Sequence, residues 1–224
     1  MTLSYVCLQN SFELGVRVPL LIRVPWLPDS IGKTTPALAE AVDLFQTFID
    51  LSGLGEAVAL PEDQVLQGTS LLPVVRNPPA TGTGPRQYAF SQFAKSLTHS
   101  QELGKLVPWD TCDKCAKTNL FTNTSDPNPL TKSAIDYMGF SVRSDRWRLT
   151  QWVRWDPTTL SPLWNHSAEF SAFELYDHQN DFGRSMDAAT ARVNLAEKPQ
   201  YKAVVGQLGA VLRSQFREDH EPPQ

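Results

Sequence analysis

The apolar positions of this chain follow one rhythm in its first third and another in its last. Arg17-Val18-Pro19-Leu20-Leu21-Ile22-Arg23-Val24-Pro25 is a nearly continuous apolar run closed by proline. Apolar side chains on both faces suit a strand covered from both sides, as in a parallel α/β sheet. Thr34-Thr35-Pro36 then offers a cap followed by proline near a first helical position. Leu38, Val42, Phe45, Phe48 and Ile49 recur at helical spacing, and Gly53 and Gly55 supply the stop. Gln64 to Pro73 reads as a connector packed by its leucines, and Asn77 to Pro85 as an exposed loop. Gln87 to Phe93 alternates aromatic and polar residues like a half-buried strand, whereas Leu97 to Ser133 has little periodicity.

The last third carries the clearest hairpin. Met138–Ser144 and Trp147–Trp155 flank Asp145-Arg146, a two-residue turn. Trp147, Leu149, Gln151, Val153 and Trp155 share one face of the second strand, with Arg146, Arg148, Thr150, Trp152 and Arg154 on the other. One face is therefore expected to pack and the other to be cationic. Phe173–Tyr176 offers a further short strand, and Tyr201, Val204, Val205, Leu208, Val211 and Leu212 build a closing amphipathic helix. The order of pieces predicts an α+β chain with an α/β unit over 11–75, an irregular excursion with one strand over 76–136, and an antiparallel sheet with a C-terminal helix over 137–217.

Composition narrows the class. A length of 224 residues with 41% hydrophobic and 10% aromatic content supports a real core. A net charge of −4 gives no basic footprint for nucleic acid. The longest apolar run falls far short of a membrane span, and Met1 to Asn10 lacks the pattern of an export signal. Three cysteines are present, Cys7, Cys112 and Cys115. Cys112 and Cys115 form a lone CxxC with too few neighbouring ligands for tetrahedral zinc and no strand-then-helix setting for redox work. A local disulfide in an oxidising compartment suits them better. The sequons at Asn123 and Asn165 point the same way as glycosylation acceptors, although such tripeptides also arise by chance.

Glu174-Leu175-Tyr176-Asp177-His178-Gln179-Asn180-Asp181, followed by Val193-Asn194-Leu195, resembles the E-L-Y-D-x-x-x-D…x-N-L signature of sulfatases, in the alkaline-phosphatase-like superfamily. Four further stretches resemble the same family in the same order. Phe12 to Leu20 is similar to F-E-x-x-x-R-V-P-L, and Val42 to Leu54 to V-D-L-x-P-T-L-x-D-L-A-G-L, with Gln46 in place of the proline. Leu66 to Pro73 is similar to L-x-G-x-S-L-x-P, and Met138 to Arg148 to the M-G-Y-S-I-R-T-D-x-Y-R hairpin of the iduronate-2-sulfatase branch. The resemblance implies a truncated α/β sulfatase sheet unit followed by a small antiparallel sheet, from a parent hydrolysing sulfate esters, glycosaminoglycan sugars among them. It also implies a lysosomal or secreted parent that holds calcium.

The departures are chemical. No cysteine stands in a C-x-P-S-R context, and nothing before Ser11 supplies the family's acidic metal pairs. The position of the sulfate-binding lysine falls on Leu8. Catalytic residues and metal ligands are therefore expected to be absent, with no cation bound by this chain, and the missing N-terminal portion becomes the implied partner. Arg143 has two readings, a substrate contact at the cleft mouth or a structural salt bridge. Asp177, His178 and Asp181 look like a metal trio, but lie where the family ties a turn together. His99, His166 and His220 have polar neighbours and suit solvent, while Trp147, Trp152 and Trp155 suit cross-strand packing better than sugar stacking. The alternative to a sulfatase portion is a stand-alone, non-catalytic relative that binds a sulfated sugar or a protein through the arginine-rich hairpin face. An unrelated α+β structural protein is the third reading. For Val16–Val24 the expectation is a poorly covered strand, with the better-packed antiparallel half at Gln87–Trp155.

Overall fold

A computed structural model describes residues 13–55, 65–80, 82, 84–95, 135, 137–164, 172–179 and 193–216. The chain is α+β and divides into two compact units: Met1–Val18, Ser91–Val142 and Arg148–Gln224 in the first, Pro19–Phe90 and Arg143–Trp147 in the second. Its helices are α1 (Glu13–Val16), α2 (Asp43–Ser52), α3 (Leu72–Arg76) and α4 (Lys202–Phe216). Five strands, β1 (Ala89–Lys95), β2 (Tyr137–Arg143), β3 (Trp147–Asp156), β4 (Ser161–Pro162) and β5 (Ala172–Asp177), form one sheet. Its order is β1-β2-β3-β4, with β5 also pairing to β3.

The β2–β3 hairpin forms where the sequence places it. Ser144 N–H donates to the Trp147 carbonyl at 2.8 Å, and Trp147 N–H donates to Ser144 Oγ at 2.9 Å. Asp145 and Arg146 make the turn without positive φ, since Leu160 is the one non-glycine with that geometry among the described residues. The serine hydroxyl closes the turn that mirror-type turns close with backbone alone. Met138, Phe140, Val142, Leu149 and Val153 are buried. Phe140 stacks on Trp164 at 4.9 Å and meets Phe216 of α4 at 4.6 Å between ring centroids, and Leu208 and Leu212 of α4 are also buried. Gly139 faces Trp152 across the hairpin: a Cβ there would lie 2.7 Å from the indole ring. Only a residue without a side chain lets that ring lie flat on β2.

One sequence expectation for the hairpin holds only in part. Arg148 and Thr150 are as buried as the opposite face of β3, so only Arg146 and Arg154 of the expected cationic face are exposed. The reason is a carboxylate from α1, Glu13, which takes the Arg148 guanidinium out of solvent.

In the second unit, α2 ends at Gly53 in the left-handed conformation (φ 70°), the stop that its glycine announces. The start differs from expectation. Thr35 does not cap it; its hydroxyl bonds the Ala37 amide and the Pro79 carbonyl, and α2 begins at Asp43. The face also differs. Asp43 and Thr47 are 0% and 1% exposed, while Phe45 and Phe48, core positions by helical spacing, are 53% and 61% exposed. The inward face is polar because it must satisfy backbone donors of the neighbouring connector. That connector runs into α3, whose start is set by Ser70 Oγ accepting from Leu72 N–H and by Pro73 in the first turn.

The expected strand over Arg17–Pro25 is not formed. Residues 17–24 carry no strand assignment; Val24 is buried, but Leu21 is 92% exposed. A strand exists through hydrogen bonds to a neighbour, and none of the described strands pairs with this segment. The segment is poorly covered, as its apolar run predicts, but it is not a strand.

Gly68 tests the close approach of connector to helix. A Cβ there would sit 2.2 Å from the Val42 carbonyl oxygen and 2.8 Å from its carbon. Backbone cannot swing aside as a side chain can, so Gly68→Ala is expected to lower stability by about 2–3 kcal/mol. Gly53→Ala, which meets no atom within 4 Å but keeps φ at 70°, is expected to cost about 1 kcal/mol. Urea-denaturation midpoints of the two variants check the order; equal midpoints would contradict the contact.

Candidate functional site

Asp43 accepts four hydrogen bonds on its carboxylate. Its Oδ1 accepts from Thr69 N–H at 2.8 Å and from Arg86 Nη2 at 2.5 Å. Its Oδ2 accepts from Glu40 N–H at 2.8 Å and from Arg86 Nε at 2.7 Å. One turn on, Thr47 Oγ1 donates to the Asp43 carbonyl and accepts from Leu71 N–H at 2.8 Å. Arg86 also meets Glu40 at 3.1 Å, and Glu40 in turn accepts from Phe90 N–H. Burial alone would raise the Asp43 pKa, but the Arg86 guanidinium and the Thr69 and Glu40 amides outweigh it and hold the carboxyl below its ordinary value. This is a carboxylate kept ionised, without a free lone pair to take a proton in catalysis.

Glu13 and Arg148 form a second buried pair. Arg148 Nη2 and Nε donate to Glu13 Oε2 at 2.7 and 3.2 Å, and Nη1 reaches Ser141 Oγ at 3.2 Å. Thr150 Oγ1 completes the cluster by donating to Ser141 Oγ at 3.0 Å. Arg17, one turn after Glu13, stands 3.8 Å from its other oxygen. Arg143 ends β2 at 8% exposure, and its Nη1 donates to the adjacent Ser144 carbonyl. Arg146 lies at the turn with its guanidinium 4.4 Å above the Trp147 ring.

The stretch around β5 is tied by an asparagine. Leu175 N–H donates to Asn194 Oδ1 at 3.0 Å, and Asn194 Nδ2 donates to the Phe173 carbonyl at 2.9 Å. Leu195 N–H then donates to the Leu175 carbonyl. A side-chain amide thus imitates a neighbouring strand. Glu174 accepts from Trp152 Nε1 at 3.0 Å and from the Tyr176 hydroxyl at 3.3 Å, and burial together with that carboxylate raises the Tyr176 pKa. Asp177 Oδ1 accepts from Gln179 N–H, closing a turn, and His178 is buried beside it.

Cys112, Cys115, Asn123, Asn165, Asp181, His99, His166 and His220 lie outside the described residues. Among the described residues, no group of three or more His, Cys, Asp or Glu side chains is placed to hold a metal ion. No described helix is long and apolar enough to cross a membrane. A groove of about 450 Å³ with a mainly apolar lining runs between residues 20–26 and α2. Arg86 and the Glu13–Arg148 pairing escape sequence reading altogether. The one usable signal is that Asp43, Thr47, Gly68, Glu13 and Arg148 all lie inside the five stretches that the sequence sets apart.

No family model and no curated protein matches the chain. Among solved structures it is similar to a protein of Bacteroides thetaiotaomicron VPI-5482 described as a "putative sulfatase", at 19% identity and a TM-score of 0.40. The match covers 81% of this chain and spans 26% of that protein's length.

The Asp43–Arg86 pair has a pH signature. Its folded-state pKa lies below the ordinary 3.8, so the stabilisation is complete above that value and is lost as pH falls through the folded value. Asp43→Asn leaves Arg86 buried with one carboxylate fewer and is expected to cost about 3–5 kcal/mol at neutral pH. Below pH 4 the gap between native chain and variant should narrow. Urea midpoints measured from pH 7 down to the acid transition check this; a gap that stays constant would exclude the carboxylate as its source.

Proposed function

We propose that this chain is the C-terminal portion of a sulfatase, supplying architecture to a protein that hydrolyses sulfate esters and carrying none of the reacting groups itself. The observation that supports the reading is the way the matched motifs close on one another. The Asp and Thr of the V-D-L segment receive the amides that flank Ser70 in the L-x-G-x-S-L segment. The F-E glutamate, Glu13, receives the last arginine of the hairpin motif. The asparagine of x-N-L clamps the strand of E-L-Y-D. Residues that share a motif order for a structural reason should be found in contact, and these are.

The hairpin Met138–Arg148 favours the iduronate-2-sulfatase branch, with sulfated glycosaminoglycan sugars as the parent's substrate class. Calcium and the formylglycine nucleophile belong, in this reading, to the portion bearing C-x-P-S-R and the acidic pairs. Arg143 remains the residue here proposed to approach the substrate cleft. A lysosomal or secreted location fits a Cys112–Cys115 disulfide and glycosylation at Asn123 and Asn165. The alternative of a stand-alone sugar binder loses its main support, because Arg148 is spent on Glu13 and only Arg146 and Arg154 remain exposed on that side.

The purified 224-residue chain is expected to release no sulfate from an aryl sulfate with calcium present. Without nucleophile or cation, the transition state has neither covalent nor electrostatic support. Joined to coding sequence from upstream that contains C-x-P-S-R, and produced with formylglycine conversion, the same residues are expected to appear in an active enzyme. Turnover by the isolated chain, or an inactive joined protein that is folded and converted, would overturn the reading.

A further inference from the structure

We propose that the buried face of β3 holds an internal water, bonded to the side-chain oxygen of Gln151 and to the indole N–H of Trp164. The proposal rests on the sheet register and does not require the sulfatase reading. It starts from three polar atoms. Gln151 is 2% exposed, and its Oε1 is buried with no hydrogen-bond partner among the described residues. Trp155 Nε1 and Trp164 Nε1 are buried in the same condition, although both residues are only half-buried as a whole. Nearly all buried polar groups in folded proteins are hydrogen-bonded, to protein or to ordered water.

The register brings the three together. The bond from Ser144 N–H to the Trp147 carbonyl sets the β2–β3 pairing and puts Phe140 opposite Gln151. The Ser141–Thr150 bond and the approach of Gly139 to Trp152 agree with it. Along the other edge of β3, Trp155 pairs with Pro162, and the bond from Leu163 N–H to the Arg154 carbonyl carries the ladder one residue further. Trp164 therefore stands opposite Val153, diagonal to both Gln151 and Trp155 on one face. Diagonal neighbours lie about 7–8 Å apart, within reach of side chains of this length. Phe140 and Trp164 come from opposite sides of β3, yet their rings meet at 4.9 Å. They must lean over β3 to do so, which closes the face above Gln151 and brings the indole to it.

The chemistry selects the ligand. One acceptor and two donors, all neutral, match a single water that accepts both indole protons and donates to the amide oxygen. Three hydrogen bonds is the usual number for an internal water. A direct bond from one indole to Gln151 would still leave the other indole unmet. Met138, Phe140, Val142, Leu149 and Val153 complete this face and are apolar, so nothing on it would balance an ion. The rings above are inclined, by 30° between Phe140 and Trp164 and 42° between Phe140 and Phe216, and so leave wedges between them.

The test is water–protein NOE and ROE spectroscopy on the isotope-labelled full chain, with the Trp164 indole resonance assigned by its loss in Trp164→Phe. That indole is expected to show a water cross-peak of dipolar sign, which disappears in Gln151→Met. The urea midpoint of Gln151→Met sets two accounts against each other. Removing an acceptor that nothing satisfies raises the midpoint, whereas removing one that holds a water lowers it, because the indoles lose their acceptor. A lower midpoint is expected. A Trp164 indole without a dipolar water peak would overturn the proposal, and so would a peak that Gln151→Met leaves in place or a midpoint that does not fall. Should Gln151→Met not fold, the spectrum of the native chain decides.

Discussion

The carboxylate of Asp43, closed on Arg86, is the interaction on which the second unit depends. It lies at the first turn of α2, where a negative charge is favoured by the helix N-terminus. From there it collects the amides of Glu40 and Thr69 and two N–H donors, Nε and Nη2, from one edge of the Arg86 guanidinium. Four donors on two oxygens leave little capacity unused. The connector after residue 65 has no ladder of its own, so its amides must find side-chain acceptors, and Asp43 and Thr47 are those acceptors. Gly68 lets the two backbones come close enough for this to happen.

The same economy recurs in the first unit with different chemistry. Glu13 and Arg148 join a single turn of helix to the middle of β3, and Asn194 stands in for a strand beside β5. Polar residues do there what hydrophobic contact does elsewhere, and they do it with direction. A buried ion pair contributes modestly to net stability compared with an apolar pair, but breaking one partner is costly, so the arrangement is specific. These side chains are bonded to one another and to neighbouring backbone.

Much of the antiparallel half was legible from sequence. Period-two alternation and a short turn fixed β2 and β3, and helical spacing fixed α4, because both signals are local. What escaped was long-range pairing. The burial of Arg148 could not be read from its own strand, since the carboxylate that takes it is at Glu13. The face of α2 was misassigned for a related reason: Val42, Phe45 and Phe48 form an amphipathic stripe by spacing, yet the connector's amides claim the opposite side. The apolar run after Arg17 was misread as a strand because periodicity describes side chains, while a strand also requires a neighbour's backbone. Arg143 was visible as a candidate and is found at the end of β2, bonded to the next residue's carbonyl.

Native-state hydrogen exchange at two amides tests most directly whether the motif residues act as structural clamps. The N–H groups of Thr69 and Leu71 donate to the side chains of Asp43 and Thr47. If those side chains hold the unit together, both amides should exchange only through its cooperative unfolding, with protection matching the α2 amides. Rapid exchange of Thr69 and Leu71 beside a protected α2 would show the connector to be loosely attached, and would contradict the central role given to Asp43.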